Sequence, residues 1–305
     1  MEWHSNDSPR MNLRNYGSVL LMLGLLFLPT TGAASASGRP TGSPTAAQTT
    51  PGSRHPLAPQ TCVPPSEGLV SWWSGDGTAQ DNWDGNDGTL QNGATTARGQ
   101  VAQAFRFDGQ NDYVQIPAAE NLVVTNVLTL DAWIYPTGPG SAGVGGNILR
   151  KEGEYVLGRA ADGHIRWAIA GESPGWIWVD TLYTASLNQW THVALVFDNG
   201  IIRTYANGVM VHLLTGSGLI GDAVPGDNNV RIGSRNGASE FFQGLIDEVD
   251  IFHRVLSDAE IQSLYAAGNL RRSSALAKKG HIGYTNLPTA SCWVAKRAIL
   301  ARPGT

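Results

Sequence analysis

Two Asn-Gly pairs in close succession, Asn199-Gly200 and Asn207-Gly208, constrain this chain more than any other feature. Both central positions of a type I′ turn need a positive φ, which Asn and Gly adopt at least cost, so each pair reads as a hairpin turn. The flanking segments agree. In THVALVFD, Val193, Leu195 and Phe197 alternate with His192, Ala194, Val196 and Asp198, the period of two expected of a strand with one buried face. IIRTYA and VMVHLL follow the two pairs, which gives an antiparallel meander between Trp190 and Leu214. A meander must bury its apolar face against another layer, and here that layer is expected to be a second sheet.

The remaining chain supplies it. LVSWWS, AFRFDG, YVQIP, LTLDAWIYP, NILRK, YVLGRA, HIRWAIA, WIWVDT, VRIGSR and GLIDEVDIF are short strand-like runs separated by Gly, Asp, Asn and Pro turns. Ser257-Asp258-Ala259-Glu260 forms a capping box, followed by a stripe of Ile261, Leu264 and Tyr265, the clear helix signal of this region. The expected fold is all-β, an antiparallel two-sheet jelly-roll sandwich with one short C-terminal helix.

Around this domain, assigned to residues 61–268, the composition changes. Arg10 and Arg14 precede an apolar run from Val19 to Leu28, then small residues ending in Ala34-Ser35-Ala36, the layout of a secretory signal peptide over residues 1–36. That run is well short of the ~20 apolar residues a membrane-spanning helix needs, so no span is expected after cleavage. Residues 37–60 are a tether rich in Ser, Thr, Pro and Gly, and residues 269–305 a basic tail without sustained periodicity. Between residues 61 and 267 ten basic side chains face 23 acidic ones, a net charge of −13. Such a body excludes nucleic acid and anionic membranes as partners and suits a divalent cation. The two cysteines, Cys62 and Cys292, either clasp the ends of the domain in a disulfide or leave Cys292 free or joined to another chain.

Four stretches together resemble the LamG-like jelly-roll domains of the concanavalin A-like lectin and glucanase superfamily: GLVSWWSGDG; NDGTLQNGA with AFRFDGQNDYVQIP; WTHVALVFDNGIIRTYANGVMV; and GLIDEVDIFHRVLSDAEIQSLYAAG. The resemblance implies two curved sheets, a secreted or cell-surface setting, and often a structural Ca²⁺ joining the start of the domain to its last strand. On that pattern Asp76 and Asp247 are the expected side-chain ligands, with Asp81 and Asn86 beside them; the glycines of Gly75-Asp76-Gly77 and Asp84-Gly85-Asn86 let carbonyls turn inward.

The superfamily includes glycoside hydrolases, whose laminarinase-like members carry carboxylates in a Glu-x-Asp-x-Glu pattern on one strand. Here Glu248 and Asp250 fill the first two positions and Phe252 the third, while Asp247, at odd spacing, should point to the opposite face with Val249 and Ile251. The chain also lacks a Gly-x-Ser-x-Gly elbow, a His-Glu-x-x-His helix and a phosphate loop. An enzyme is therefore not expected. Binding is better supported: Asp131, Trp133, Trp176, Trp178, Arg203 and Tyr205 are expected on one sheet face, where flat rings stack on sugars and the polar groups bond hydroxyls. Trp167, between Ile165 and Ile169, is expected in the core instead. The partner is a glycan or, in the alternative, an extracellular protein held by a structural or adhesive module.

Overall fold

A computed structural model describes residues 67–277, without the side chains of 269–277. The leader, the tether, Cys62, Cys292 and the tail beyond Ala277 lie outside the described residues. In chain order the strands are β1 Leu69–Trp73, β2 Thr89–Gln91, β3 Thr95–Arg98, β4 Gln103–Asp108, β5 Tyr113–Ile116, β6 Val127–Pro136, β7 Gly145–Lys151, β8 Tyr155–Ala160, β9 His164–Ile169, β10 Val179–Thr184, β11 Thr191–Asp198, β12 Ile201–Ala206, β13 Val209–Thr215, β14 Val230–Ile232 and β15 Gln243–Phe252. One helix, α1, spans Asp258–Ala277.

The strands form two antiparallel sheets. Sheet A runs β13-β12-β11-β6-β15-β4-β3, with β1 also on β15, and sheet B runs β10-β9-β8-β7-β14-β5-β2. The meander is as its turns require: Asn199 and Gly200 have φ of 47° and 95°, Asn207 and Gly208 of 51° and 78°. Between the sheets lies the main core, with Trp73, Phe105, Leu130, Leu195 and Phe197 from sheet A and Ile116, Tyr155, Leu157, Trp167 and Ile232 from sheet B. Trp167 is fully buried there.

The other face of sheet A is buried too. Trp72, Ala194, Val196, Tyr205 and Phe252 form a second cluster with Leu256 and Ile261 at the start of α1. The capping box fixes that start: the Glu260 carboxylate accepts from the Ser257 amide at 2.7 Å, and the Glu260 amide donates to the Ser257 hydroxyl at 3.4 Å. The helix then continues past Gly268 to Ala277, into the stretch read as tail, because NLRRSSALA holds no Gly or Pro to stop it.

Strand β15 changes partners midway. Residues 243–246 pair with β4 and residues 249–252 with β1, while β6 lies along the other side throughout. At the changeover the register against β6 slips between Asp247 and Asp250, and Glu248 takes a φ of 51°, which marks a β-bulge. Because of that extra residue the alternation breaks. Asp247 stands opposite Trp133 and Asp250 opposite Asp131, both on the helix side of the sheet, while Ile246, Val249 and Ile251 face the core. The expectation that Asp247 points away from Asp250 is thus corrected.

Candidate functional site

The six residues expected on one face are divided between the two sheets. Asp131, Trp133, Arg203 and Tyr205 share the helix side of sheet A, and α1 contacts Trp133 and Tyr205 directly. Trp133 stacks on Tyr265 at 5.6 Å and meets His192 at 5.3 Å. A Cβ on Gly268 would lie 2.5 Å from its indole nitrogen, so the helix comes this close only because that residue is glycine. Tyr205 donates to Asp258 at 2.6 Å, and Asp131 bonds His192 Nε2 at 3.0 Å. Burial lowers the His192 pKa to about 3, so the neutral ring donates to the carboxylate. Asp131, Trp133 and Tyr205 are all buried, which removes them from any glycan-stacking surface. Arg203 stays half-buried near Asp198.

Trp176 and Trp178 lie on the outside of sheet B, in the loop before β10 rather than in a strand as expected. The face beneath them is set by register. Asn147, Gly158, Arg166 and Asp180 stand side by side across β7, β8, β9 and β10, next to Arg231, Arg150, Val156 and Ala168 across β14, β7, β8 and β9. A register slip between Asn147 and Leu149 puts Asn147 on the same face as Arg150 despite their odd spacing. Gly158 leaves a gap in the first row, and the Trp178 ring fills it, its Cη2 standing 3.4 Å from where a Cβ would be. Indoles and guanidiniums then alternate: Arg166 lies 4.0 Å from the Trp178 centroid, and Arg150 lies 5.8 Å from Trp178 and 5.2 Å from Trp176. Trp176 also lines a shallow hollow with Ala170, Gly171, Gly221, Asp222 and Ala223.

An ion network anchors this face. Glu152 takes two hydrogen bonds from Arg150, at 2.7 and 2.9 Å, and two from Arg235, at 3.3 and 3.2 Å. Burial works against the Glu152 carboxylate, yet these bonds and charges prevail and hold its pKa below the usual value. Other groups are unfilled. Asn147 is fully buried, and neither atom of its amide has a hydrogen-bond partner; Arg150 Nη1 and Arg166 Nε and Nη2 are likewise buried without an acceptor. Buried polar groups are seldom left so, and these offer hydrogen bonds to ordered water or to a polar ligand. Asn147, Arg150 and Arg166 were not singled out from the sequence. The available signal was an arginine inside each of the apolar runs NILRK and HIRWAIA.

The expected metal ligands also separate into two pairs. Asp76 and Asp247 come together at the junction of β1, β4 and β15. Asp247 is buried, one carboxylate oxygen accepts the Val101 amide at 2.9 Å, and the other, Oδ1, has no hydrogen bond. Burial, then Glu248, then, after the backbone, Asp76 act on its pKa, which stands well above the usual value. A Cβ on Gly99 would lie 2.5 Å from Asp247 Oδ2, so the chain approaches the carboxylate closely. A buried carboxylate oxygen without a hydrogen bond, in a junction where a second carboxylate acts on it, is a donor set that suits a hard cation. Asp81 and Asn86 serve the loop instead. Asp81 accepts the amides of Trp72, Trp83, Asp84 and Asn86, while the Asn86 side chain donates to Ser71 and its carbonyl accepts the Trp73 indole.

The family model described as the concanavalin A-like lectin/glucanases superfamily matches residues 108–262. Among curated proteins, adhesion G-protein coupled receptor V1 of Danio rerio is 26% identical over 177 residues, 53% of this chain but 3% of the receptor, so the chain spans a small fraction of that protein. Among solved structures, domain 4 of AbnA, a GH43 extracellular arabinanase from Geobacillus stearothermophilus in complex with arabinotriose, aligns with a TM-score of 0.50 and 22% identity, covering 65% of this chain and 98% of that one. The binding domain of Paraclostridial Mosquitocidal Protein 1 aligns with a TM-score of 0.52 and 15% identity, covering 65% and 52%. At these identities the two structures speak to the fold alone.

Proposed function

Because the chain belongs to the concanavalin A-like lectin/glucanases superfamily, we propose that its sandwich is an exported, non-catalytic module that binds a glycan on the outer face of sheet B. The observation that carries this is the fully buried, unpartnered amide of Asn147 beside the unfilled guanidinium edges of Arg150 and Arg166, under Trp176 and Trp178. Sugar hydroxyls both donate and accept, and a ring lying against an indole buries its apolar face. The leader read in residues 1–36 supports export; among the described residues no helix is long and apolar enough to cross a membrane.

Non-catalytic is the reading because the carboxylates of Asp247, Glu248 and Asp250, although the bulge gathers them on one side of sheet A, are all buried, and Glu248 accepts the Trp72 indole at 2.8 Å. A glycosidase needs its carboxylate pair open to the scissile bond. Incubated with the polysaccharides it binds, the protein is expected to release no reducing sugar; release that Glu248→Gln abolished would show the opposite.

A glycan array and pull-downs on insoluble polysaccharides test the binding face. Trp176→Ala with Trp178→Ala should cut retention at least about tenfold, since each indole stack is worth roughly 1 kcal/mol or more, with the fold kept. A folded protein that retained no glycan would reject the reading. The adhesive alternative is favoured by the receptor similarity and by the exposed apolar residues Val209, Met210 and Leu213 of the sheet-edge strand β13. It is the reading that stands if the array is blank and an extracellular protein is captured through β13.

A further inference from the structure

The unfilled groups on the outer face of sheet B are unequal in kind. Buried donors without an acceptor are Arg150 Nη1, Arg166 Nε and Nη2, Arg231 Nε and Asn147 Nδ2; the buried acceptors without a donor are Asn147 Oδ1 and Glu240 Oε2. Donors thus outnumber acceptors by five to two. Glu240 does not correct the imbalance, for its Oε2 lies 3.6 Å from Arg150 Nη1 and 3.8 Å from Arg166 Nη2, beyond hydrogen-bonding reach of both. Charge is even here, Arg150, Arg166, Arg231 and Arg235 being met by Glu152, Glu240, Asp227 and Asp180 on or beside this face, so the imbalance is one of hydrogen-bond donors.

A neutral sugar offers about as many donors as acceptors, so it would leave the surplus N–H groups unmet, each at a cost in desolvation. A carboxylate brings only acceptors. Its two oxygens match the planar fork of a guanidinium, and the Arg150 and Arg166 guanidiniums lie 4.0–5.8 Å from the Trp176 and Trp178 rings.

Resting on the glycan-binding reading above, we propose that the bound glycan is anionic: a uronate-bearing polysaccharide whose carboxylate fills the open donors of Arg150 and Arg166, with the Asn147 amide taking a neighbouring hydroxyl. The sugar unit seats against the Trp178 ring, which itself covers Gly158.

Titration calorimetry of the full chain with polygalacturonate, alginate and hyaluronan, each against its carboxyl-reduced form, tests this without a variant, because each pair differs only in the acid group. At least one uronan is expected to bind about tenfold or more tightly than its reduced form, from loss of charge-assisted hydrogen bonds, and to weaken as salt is raised. Arg166→Gln should weaken it by about the same factor, and Arg166→Lys should not restore it in full, because the ammonium lacks the fork. Equal binding of all acid and reduced forms would overturn the anionic ligand while leaving the glycan reading intact. Tighter binding to dextran sulfate than to every uronan would overturn the carboxylate in favour of a sulfate ester. Failure of the folded chain to bind any polysaccharide would remove both readings.

Discussion

Trp133→Ala is expected to cost the domain about 3–5 kcal/mol, the usual range for deleting a buried large aromatic side chain. For a domain of this size that lowers the melting temperature by roughly 6–20 °C. The loss has three parts. The cavity opens between sheet A and α1, the stack on Tyr265 disappears, and the His192 ring, buried neutral against Asp131, loses its neighbour. Gly268→Ala should act in the same direction, since the new methyl would press into the indole from the helix side. Trp178→Ala, by contrast, should cost much less, because that ring is half-buried on an outer face and no hydrogen bond from it is present. Thermal melts of the three variants decide the matter. If Trp133→Ala melted with the wild type and Trp178→Ala collapsed, the assignment of the two tryptophans to core and surface would be reversed.

The contrast between these two residues shows what was legible in the sequence. Alternation and turn chemistry are local, and they located the meander, the capping box and the buried Trp167 correctly. The Asn-Gly pairs have the positive φ angles that their chemistry demands. Which residues share a surface is not local. Trp133 and Trp178 look alike in sequence, each on an alternating apolar and polar run, but one strand belongs to the sheet that α1 covers and the other stretch crosses the opposite sheet. Asp247 illustrates a second limit. Period-two counting holds only while every residue is paired, and one bulged residue, Glu248, reversed the face of its neighbour. The arginines of NILRK and HIRWAIA were visible as charges in apolar strands, yet their meaning depends on cross-strand register, including the slip in β7 that sets Asn147 and Gly158 in line with Arg166 across three consecutive strands.

In millimolar Ca²⁺ the protein is expected to melt at higher temperature than in EDTA, and Asp247→Asn should abolish the difference. Metal that binds only the folded form stabilises it by about 2.7 kcal/mol when present at about a hundred times its Kd. The sign of the pH dependence follows from the raised pKa of Asp247. Folded, the carboxyl keeps its proton to a higher pH than it does unfolded, so its contribution is complete below the unfolded value near 3.8 and is lost as the pH rises through the folded one. The EDTA-treated protein should therefore lose stability over that window, as a carboxylate is forced to ionise between Asp76 and Glu248 with one oxygen unbonded. Ca²⁺ binds the ionised form, so its stabilisation should grow over the same window and vanish below it. Asp247→Asn mimics the protonated acid. In EDTA near neutral pH it should be at least as stable as the wild type, with a flatter pH profile, and it should not respond to Ca²⁺. Wild-type melts that coincided in EDTA and in Ca²⁺ at every pH would show that the junction of β1, β4 and β15 holds no cation, and that its buried carboxylate is kept neutral by the proton alone.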